Sequence, residues 1–211
     1  MNQPISIDQK VSAVLTAYHE RLDAELPELM QHTLDEPEAT WDPFLLAVGP
    51  QTGQLLNIFI KSLSKPKILE VGTSYGYSTI WLAEAARATG GHVTTLELHG
   101  YKAAHAREMA AKAGLENYID FKIGDALQTI AELPARFDFV LIDLWKDLYE
   151  PCAHVIYPKL NPGAIVVADN MVRPGGDYVQ DYTKALLSKP GMTSVLLPVG
   201  SGIEISRYRP N

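Results

Sequence analysis

The stretch KILEVGTSYGYS, residues 67–78, carries the strongest structural signal in the chain. Its first residues are mainly apolar, as in a short buried strand, and it leads into an alanine-rich helical segment at residues 76–88. Gly72 and Gly76 allow the backbone to turn sharply between the two and to approach a ligand closely. A strand, a glycine loop and a helix in this order predict one unit of a parallel sheet covered by helices.

The same alternation continues towards the C-terminus. The last two apolar segments have only a tight turn between them, so we expect the final strand to run antiparallel. We predict an α/β fold, a Rossmann-like doubly wound sheet of seven strands that is mostly parallel. Beyond residues 67–72, strands are predicted at 92–98, 119–124, 137–143, 164–169, 193–199 and 202–208, and helices at 101–113, 126–133, 148–160 and 177–188.

The region before this sheet is predicted to add helices to it. Apolar residues recur at helical spacing in a first amphipathic helix, and a second helix is expected at residues 51–63. Residues 33–50 contain three prolines and a glycine and are predicted to be a loop. We therefore expect a single domain over residues 1–211, with a helical cap at 1–64 and a cofactor-binding and catalytic core at 65–211. The repeating apolar positions of the first helix are Val11, Val14, Leu15, Tyr18 and Leu22.

Composition narrows the classes of partner. The chain has 211 residues and a formal net charge of −7, so it gains no general attraction to nucleic acid or to anionic membranes. Its single cysteine, Cys152, excludes an internal disulfide and fits a reducing compartment as a packing residue. Residues 1–10 lack the pattern of a signal peptide, and no apolar run is long enough to span a bilayer. We expect a cytoplasmic protein with no membrane partner.

The glycine loop and the acidic strand ends predict a cofactor. The G-x-x-x-G spacing differs from the G-x-G-x-x-G that cradles a pyrophosphate. Glu97 ends the second predicted strand, where a carboxylate accepts hydrogen bonds from both ribose hydroxyls. A cofactor with a ribose and no phosphate satisfies this pattern, so we predict S-adenosylmethionine, with an NAD enzyme as the alternative. Five acidic residues are expected at one edge of the sheet, namely Glu70, Glu97, Asp125, Asp143 and Asp169.

Two neighbouring strand ends predict a metal site. Asp143 follows the fourth strand of the core, and Asp169 and Asn170 follow the fifth. Adjacent strands lie about 5 Å apart, so these three oxygen-bearing side chains can meet at one point. Such a set suits magnesium, or another hard cation such as calcium or manganese, better than zinc. Lys146 lies three residues beyond Asp143, and a nearby dication lowers the pKa of a lysine, which makes it a candidate general base.

Three segments resemble a known family. The run ILEVGTSYGYSTIWLA, residues 68–83, resembles the first motif of class I methyltransferases in the form found in metal-dependent O-methyltransferases. The D-x-W-K-D-x-Y run at 143–149 and the A-D-N-x-x-x-P-G run at 168–175 resemble the catechol O-methyltransferases of that family more closely. The resemblance covers roughly residues 44–208. It implies methyl transfer to a hydroxyl of a small catechol-like phenolic substrate.

The resemblance also implies a role for individual residues. Asp143, Asp169 and Asn170 would hold magnesium, with Asp143 also beside the cofactor, and Lys146 would be the base. The substrate would contact Phe44, Pro174 and Glu204 as well as Lys146 and Asn170, whereas Arg173 either favours an acidic substrate or is solvated. The cofactor would be bound by the loop residues Glu70, Gly72, Thr73, Ser74, Gly76 and Ser78, by Glu97 at the ribose, by Asp125, Ala126 and Trp145 at the adenine, and by Val48 above it.

Two other functions remain open at this level. A transfer RNA modifier of the same family would methylate a hydroxylated wobble uridine and keep the metal site, but it would need a basic groove, which the acidic balance does not favour. A cofactor-binding protein without catalysis would not need Lys146 beside the metal ligands. A homodimer is a further expectation, since dimers are common among bacterial and plant members of the family.

Overall fold

A computed structural model of the chain describes residues 7–33 and 36–210, and it contains every strand and helix predicted above. The strands are β1 (Lys67–Val71), β2 (His92–Glu97), β3 (Ile119–Ile123), β4 (Phe137–Ile142), β5 (Leu160–Ala168), β6 (Met192–Leu197) and β7 (Ile203–Tyr208). The helices are α1 (Gln9–Leu29), α2 (Glu38–Trp41), α3 (Pro50–Lys61), α4 (Tyr77–Thr89), α5 (Gly100–Lys112), α6 (Ala126–Glu132), α7 (Tyr149–Ile156) and α8 (Asp177–Leu187).

The seven strands form one sheet in the order β3-β2-β1-β4-β5-β7-β6. β1 to β5 pair in parallel, and β7 runs antiparallel to both β5 and β6. The predicted fold class and the antiparallel last strand are therefore confirmed. The chain leaves β1 in one direction along the sheet and returns to its other side at β4. Open sheets bind their ligands beyond the carboxyl ends of the strands at such a switch point.

Helices cover both faces of the sheet. Because side chains alternate along a strand, Ile68 packs in the core beneath α1, α3, α4 and α5, and Leu69 packs in the core beneath α6, α7 and α8. The core candidates of the first sheet-covering helix, Ile80, Leu82 and Ala83, are fully buried. This alternation also decides which strand-end side chains share a face, and it therefore shapes the candidate site.

Some predicted boundaries were wrong. The loop at residues 33–50 contains the short helix α2, and β5 begins at Leu160 instead of 164. The helix predicted at 148–160 ends at Ile156, because Pro158 has no N–H group to continue the helical hydrogen bonds, and the chain goes on in a single 3₁₀ turn, Tyr157–Lys159. Within the described residues, no helix combines the length and the apolar character that crossing a bilayer requires.

Cys152 is fully buried in α7. Burial disfavours the charged thiolate and raises the pKa of the thiol to about 12. A thiol in this state is a poor nucleophile, so the prediction of a packing residue agrees with the structure.

Candidate active site

The glycine loop is held against both of its neighbouring strands. The N–H groups of Gly72 and Thr73 both donate to the carbonyl oxygen of Leu96, at 3.1 and 3.0 Å. Gly72 has φ +102°, and a Cβ at this position would lie 1.9 Å from the carbonyl oxygen of Asp143. The loop therefore lies directly against the chain that leaves β4, which brings the predicted cofactor segment and the predicted metal segment together.

We expect Gly72→Ala to destabilise the protein by about 2–4 kcal/mol, because the methyl group meets backbone and the φ value is unfavourable for alanine. Gly100→Ala is the matched control. A Cβ at Gly100 has nothing within 4 Å, and the residue begins α5, so its replacement is expected to be neutral or slightly stabilising. Urea unfolding of both variants measures the difference, and equal midpoints would contradict the close packing at Gly72.

Glu70 is a fully buried carboxylate below the glycine loop. The hydroxyls of Ser78, Thr79 and Thr95 each donate a hydrogen bond of 2.6 Å to it. Burial raises the pKa of Glu70 to about 7, and the three hydroxyls oppose that rise. The carboxyl group thus joins β1 to the start of α4 and to β2, and it supports the loop from beneath.

Glu70 makes the stability of the protein depend on pH. Its pKa rises from 4.5 to about 7 on folding, so the folded state binds the proton more tightly than the unfolded chain. The contribution of Glu70 to stability is therefore fully present below pH 4.5 and is lost as the pH rises to about 7, by an amount on the order of 3 kcal/mol. We expect Glu70→Gln to flatten the decline, as followed by denaturant unfolding across this range. Glu116→Gln, at an exposed position, is expected to keep the wild-type profile; a Glu70→Gln profile as steep as wild type would contradict the assignment.

Glu97 lies at the end of β2, where the sequence predicted a ribose ligand. Its Oε2 accepts a 2.7 Å hydrogen bond from the N–H of Ser74, and its Oε1 accepts one of 2.9 Å from the N–H of His99. Ser74 has a left-handed backbone, φ +48°, and the bond to Glu97 holds it in place. Each carboxylate oxygen retains a lone pair, so the group is fixed in orientation and fits the hydroxyl donors of a ribose.

Of the other predicted cofactor residues, Asp125 and Trp145 follow the carboxyl ends of β3 and β4. Asp125 caps α6 by accepting a 2.7 Å bond from the N–H of Gln128, and Ala126 follows it. Val48 is buried in the loop before α3, and Trp145 is partly exposed just after β4. Their contacts with an adenine or a methionine group stay predictions.

The structure brings Asp143 and Asp169 together. The N–H of Asp143 donates to Val71 and that of Asp169 donates to Ile142, at 2.9 and 3.1 Å, so both residues continue the parallel hydrogen-bonding pattern by one step. Since Ile142 pairs with Ala168 and side chains alternate, the two carboxylates are neighbours on the sheet face that also carries Glu70.

Electrostatics at this pair favour a cation. Burial and the charge of Asp169 raise the pKa of Asp143 well above its ordinary value, and burial raises the pKa of Asp169 to about 6. Two neighbouring carboxylates with little access to water repel each other unless a proton or a positive ion lies between them.

The side chains at this point fit a hard divalent cation. Ser201 donates a 2.8 Å hydrogen bond to Oδ1 of Asp169 and so orients the carboxylate. Asn170 follows Asp169 in the chain, and its amide oxygen stays the predicted third ligand. Across the described ranges, no three histidine, cysteine, aspartate or glutamate side chains form a metal-binding group. The predicted set is instead two carboxylates and an amide, which is oxygen chemistry suited to magnesium.

Lys146 is exposed on the turn that follows Asp143, in a single 3₁₀ turn, Lys146–Leu148, that leads into α7. Pro174 and Arg173 are also exposed, on the loop after β5, where the guanidinium of Arg173 donates to the carbonyl of Gly200 at 3.1 Å. These three side chains lie at the rim of the strand ends and are accessible to a substrate.

Two predicted substrate residues, Glu204 and Phe44, are buried. Glu204 is buried on the opposite face of the sheet from the aspartates, because it pairs with Ala168 and shares its side. Its two oxygens accept hydrogen bonds from Thr183 of α8 and Ser194 of β6. Phe44 is also buried, with its ring centre 5.5 Å from that of His32. The packing of Glu204 does not support its predicted substrate role, and the role of Phe44 stays a prediction.

The sequence did not predict a set of contacts that the helical cap makes with Tyr75, which lies in the glycine loop. Arg21 of α1 lies 4.0 Å above the Tyr75 ring, and Tyr18 donates a 2.6 Å hydrogen bond to the Tyr75 carbonyl. The Tyr75 hydroxyl donates to the carbonyl of Asp42, whose carboxylate forms an ion pair with Lys102 at 2.5 Å. The helical cap therefore packs against the glycine loop and fixes Tyr75. In the sequence, the only sign of these contacts is an aromatic residue inside the loop.

The sheet order, the antiparallel last strand and the glycine loop at the switch point define a class I methyltransferase fold. Solved structures agree. An O-methyltransferase from Streptomyces achromogenes, TomG, determined in complex with S-adenosylmethionine, superposes with a TM-score of 0.74 at 26% identity, over 98% of this chain and 92% of that one.

Sequence comparisons give the family. Residues 69–171 match the model of a methyltransferase domain. A catechol O-methyltransferase from Niastella koreensis is 34% identical over 163 residues, which cover 75% of this chain and 73% of the relative. Caffeoyl-CoA O-methyltransferase 1 from Arabidopsis thaliana is 26% identical, over 91% of this chain and 81% of that protein. The chain belongs to the S-adenosylmethionine-dependent O-methyltransferases, in the family that includes the catechol and caffeoyl-CoA enzymes.

Proposed function

We propose that this enzyme methylates one hydroxyl of a small catechol-like substrate and requires a divalent cation, most simply magnesium. The observation that carries the proposal is the pair of neighbouring carboxylates, Asp143 and Asp169, beside the glycine loop, with an exposed lysine three residues beyond Asp143. The whole chain acts as one methyltransferase domain, in which the cap, residues 1–64, holds the cofactor loop of the core, residues 65–211.

S-adenosylmethionine supplies the methyl group as an electrophile on its sulfonium. In the proposal, Glu97 binds the ribose, and the loop from Gly72 to Ser78 binds the methionine part. Support comes from the fixed orientation of the Glu97 carboxylate and from the backbone hydrogen bonds that hold the loop. A cofactor held this firmly meets its acceptor in a restricted geometry, and positioning of this kind accounts for much of the catalysis of a displacement reaction.

Asp143, Asp169 and Asn170 would hold a divalent cation, which would supply positive charge that stabilises the phenolate form of the substrate. Lys146 removes the proton from the hydroxyl that is methylated. It is accessible on the turn next to Asp143, and a phenol with a pKa of about 10 needs such a base at neutral pH.

Arg173 refines the substrate class. Its guanidinium is exposed on the loop after β5 and donates a hydrogen bond to the backbone carbonyl of Gly200. An arginine at the rim attracts a carboxylate. We therefore expect catechols that carry a carboxylic acid to be better acceptors than neutral catechols of the same size.

The test is transfer of labelled methyl from S-adenosylmethionine to a panel of acceptors, with Mg²⁺ and then with excess EDTA. The panel contains catechol, a catechol carboxylic acid, caffeoyl-CoA and, as the control that lacks an adjacent hydroxyl pair, a monophenol. We expect transfer to the vicinal diols alone and its loss with EDTA. Equal transfer to the monophenol would contradict the need for two adjacent hydroxyls, and transfer that EDTA leaves unchanged would contradict the need for a divalent cation.

A further inference from the structure

Tyr149 has no role in the chemistry proposed so far, although it closes the D-x-W-K-D-x-Y run. It is 1% exposed at the start of α7, and its hydroxyl donates a 3.1 Å hydrogen bond to the main-chain carbonyl of Asp169. The bond is long-range, from the segment that follows β4 to the residue that follows β5. It therefore joins the two chain segments that carry the proposed metal ligands.

A second tyrosine repeats this contact one residue further on. Tyr178 of α8 donates a 2.7 Å hydrogen bond from its hydroxyl to the main-chain carbonyl of Asn170. The rings of Tyr149 and Tyr178 pack edge to face, with centroids 5.2 Å apart, and Tyr182 extends the row with its centroid 5.8 Å from that of Tyr149. Consecutive carbonyls of the proposed ligand residues are thus each held by a phenol on the α7 and α8 side of the sheet.

The second of these carbonyls belongs to a residue with an unusual backbone. Asn170 has φ +59°, in the left-handed region that non-glycine residues rarely adopt, although asparagine tolerates it better than most. The N–H groups of Met171 and Val172 donate to the carbonyls of Gly202 and Ser201, at 2.9 and 3.0 Å, and hold the chain just beyond it. The turn at Asn170 is therefore held by the hydrogen bond from Tyr178 and by the hydrogen bonds to the segment that precedes β7.

We propose that Tyr149 and Tyr178 are positioning residues for the cation site, which hold the backbone of Asp169 and Asn170 so that the carboxylate and the amide converge with Asp143. The inference rests on the metal site put forward under Proposed function. Each tyrosine acts through the carbonyl that it binds, and outer partners of metal ligands commonly change affinity when they are removed.

The experiment measures binding of Mn²⁺ alone to the full-length protein, from the EPR signal of the free ion. Tyr178→Phe removes the hydroxyl and keeps the ring, and we expect it to weaken Mn²⁺ binding by about ten-fold. Tyr149→Phe is expected to act in the same direction. The dissociation constant for S-adenosylmethionine should stay within about two-fold of wild type, and turnover should recover at high Mn²⁺, so the loss appears as a higher metal requirement.

Tyr182→Phe is the matched control. Its hydroxyl is buried in the same row but has no hydrogen-bond partner among the described residues, so its removal should leave Mn²⁺ binding at the wild-type value. If both Tyr178→Phe and Tyr149→Phe also bind Mn²⁺ as wild type does, the positioning role is overturned while the metal site stands. If the wild-type protein binds no Mn²⁺, or if Asp143→Asn leaves binding unchanged, the proposed metal site is overturned and this inference with it.

Discussion

Lys146→Ala is expected to lower the rate constant of methyl transfer by about 10²–10⁴-fold, the usual contribution of a general base. The side chain is exposed on its turn, so its loss should leave the fold and the affinity for S-adenosylmethionine unchanged. Single-turnover transfer of labelled methyl at saturating cofactor and acceptor measures the effect on the chemical step.

Two further variants separate the base from the charge. Lys146→Arg keeps the positive charge, but a guanidinium does not deprotonate near neutral pH, so it should be about as slow as Lys146→Ala. Lys184→Ala removes an exposed lysine in the last turn of α8 and should transfer methyl at the wild-type rate. A Lys146→Arg enzyme that works like wild type would show that the residue acts only through its charge.

Asp143→Asn is expected to reduce metal-dependent turnover by about 100-fold or more, since changes even at outer partners of a metal cost 10–100-fold. Without metal, the same variant should be more stable than wild type. Burial and the neighbouring Asp169 raise the pKa of Asp143 because its charge is unfavourable there, and the amide removes that repulsion. Functional sites often carry such a stability cost.

Thermal unfolding with and without Mg²⁺ tests this prediction. The wild-type midpoint should rise when Mg²⁺ is added, because a ligand that binds the folded state stabilises it, and the midpoint of Asp143→Asn should not move. Asp181→Asn, at an exposed position on α8, should respond to Mg²⁺ as wild type does. An Asp143→Asn protein that Mg²⁺ stabilises as much as wild type would place the cation elsewhere.

The local sequence pattern was enough to predict the strands and helices and the acidic residues at the strand ends. Apolar periodicity marked the strands and helices, and the glycine spacing marked the loop at the switch point, because these features depend on neighbours in sequence. Asp143 and Asp169 were recognisable because parallel strands deliver their last residues to one edge. The predicted ends of individual helices were less accurate near prolines and turns, as at Pro158.

Glu204 shows the limit of that reasoning. A glutamate near the end of the chain has the chemistry of a substrate ligand, but its face of the sheet depends on the register of β7 against β5. A shift of one residue in this register moves a side chain to the other face of the sheet. The sequence of the short segment between β6 and β7 does not predict the register. Pairing with Ala168 turns the carboxylate towards α8, where it accepts hydrogen bonds from Thr183 of α8 and Ser194 of β6.

The amino-acid sequence by itself determined the order of strands and helices, the glycine loop, and the residue types at the strand ends, since each follows from spacing along one segment. Only the tertiary structure decided that Tyr149 and Tyr178 lie beneath Asp169 and Asn170, and that the cap closes around Tyr75. Those contacts join segments far apart in the chain. Their geometry is set by strand register and by the packing of whole helices on the sheet, which no local pattern encodes.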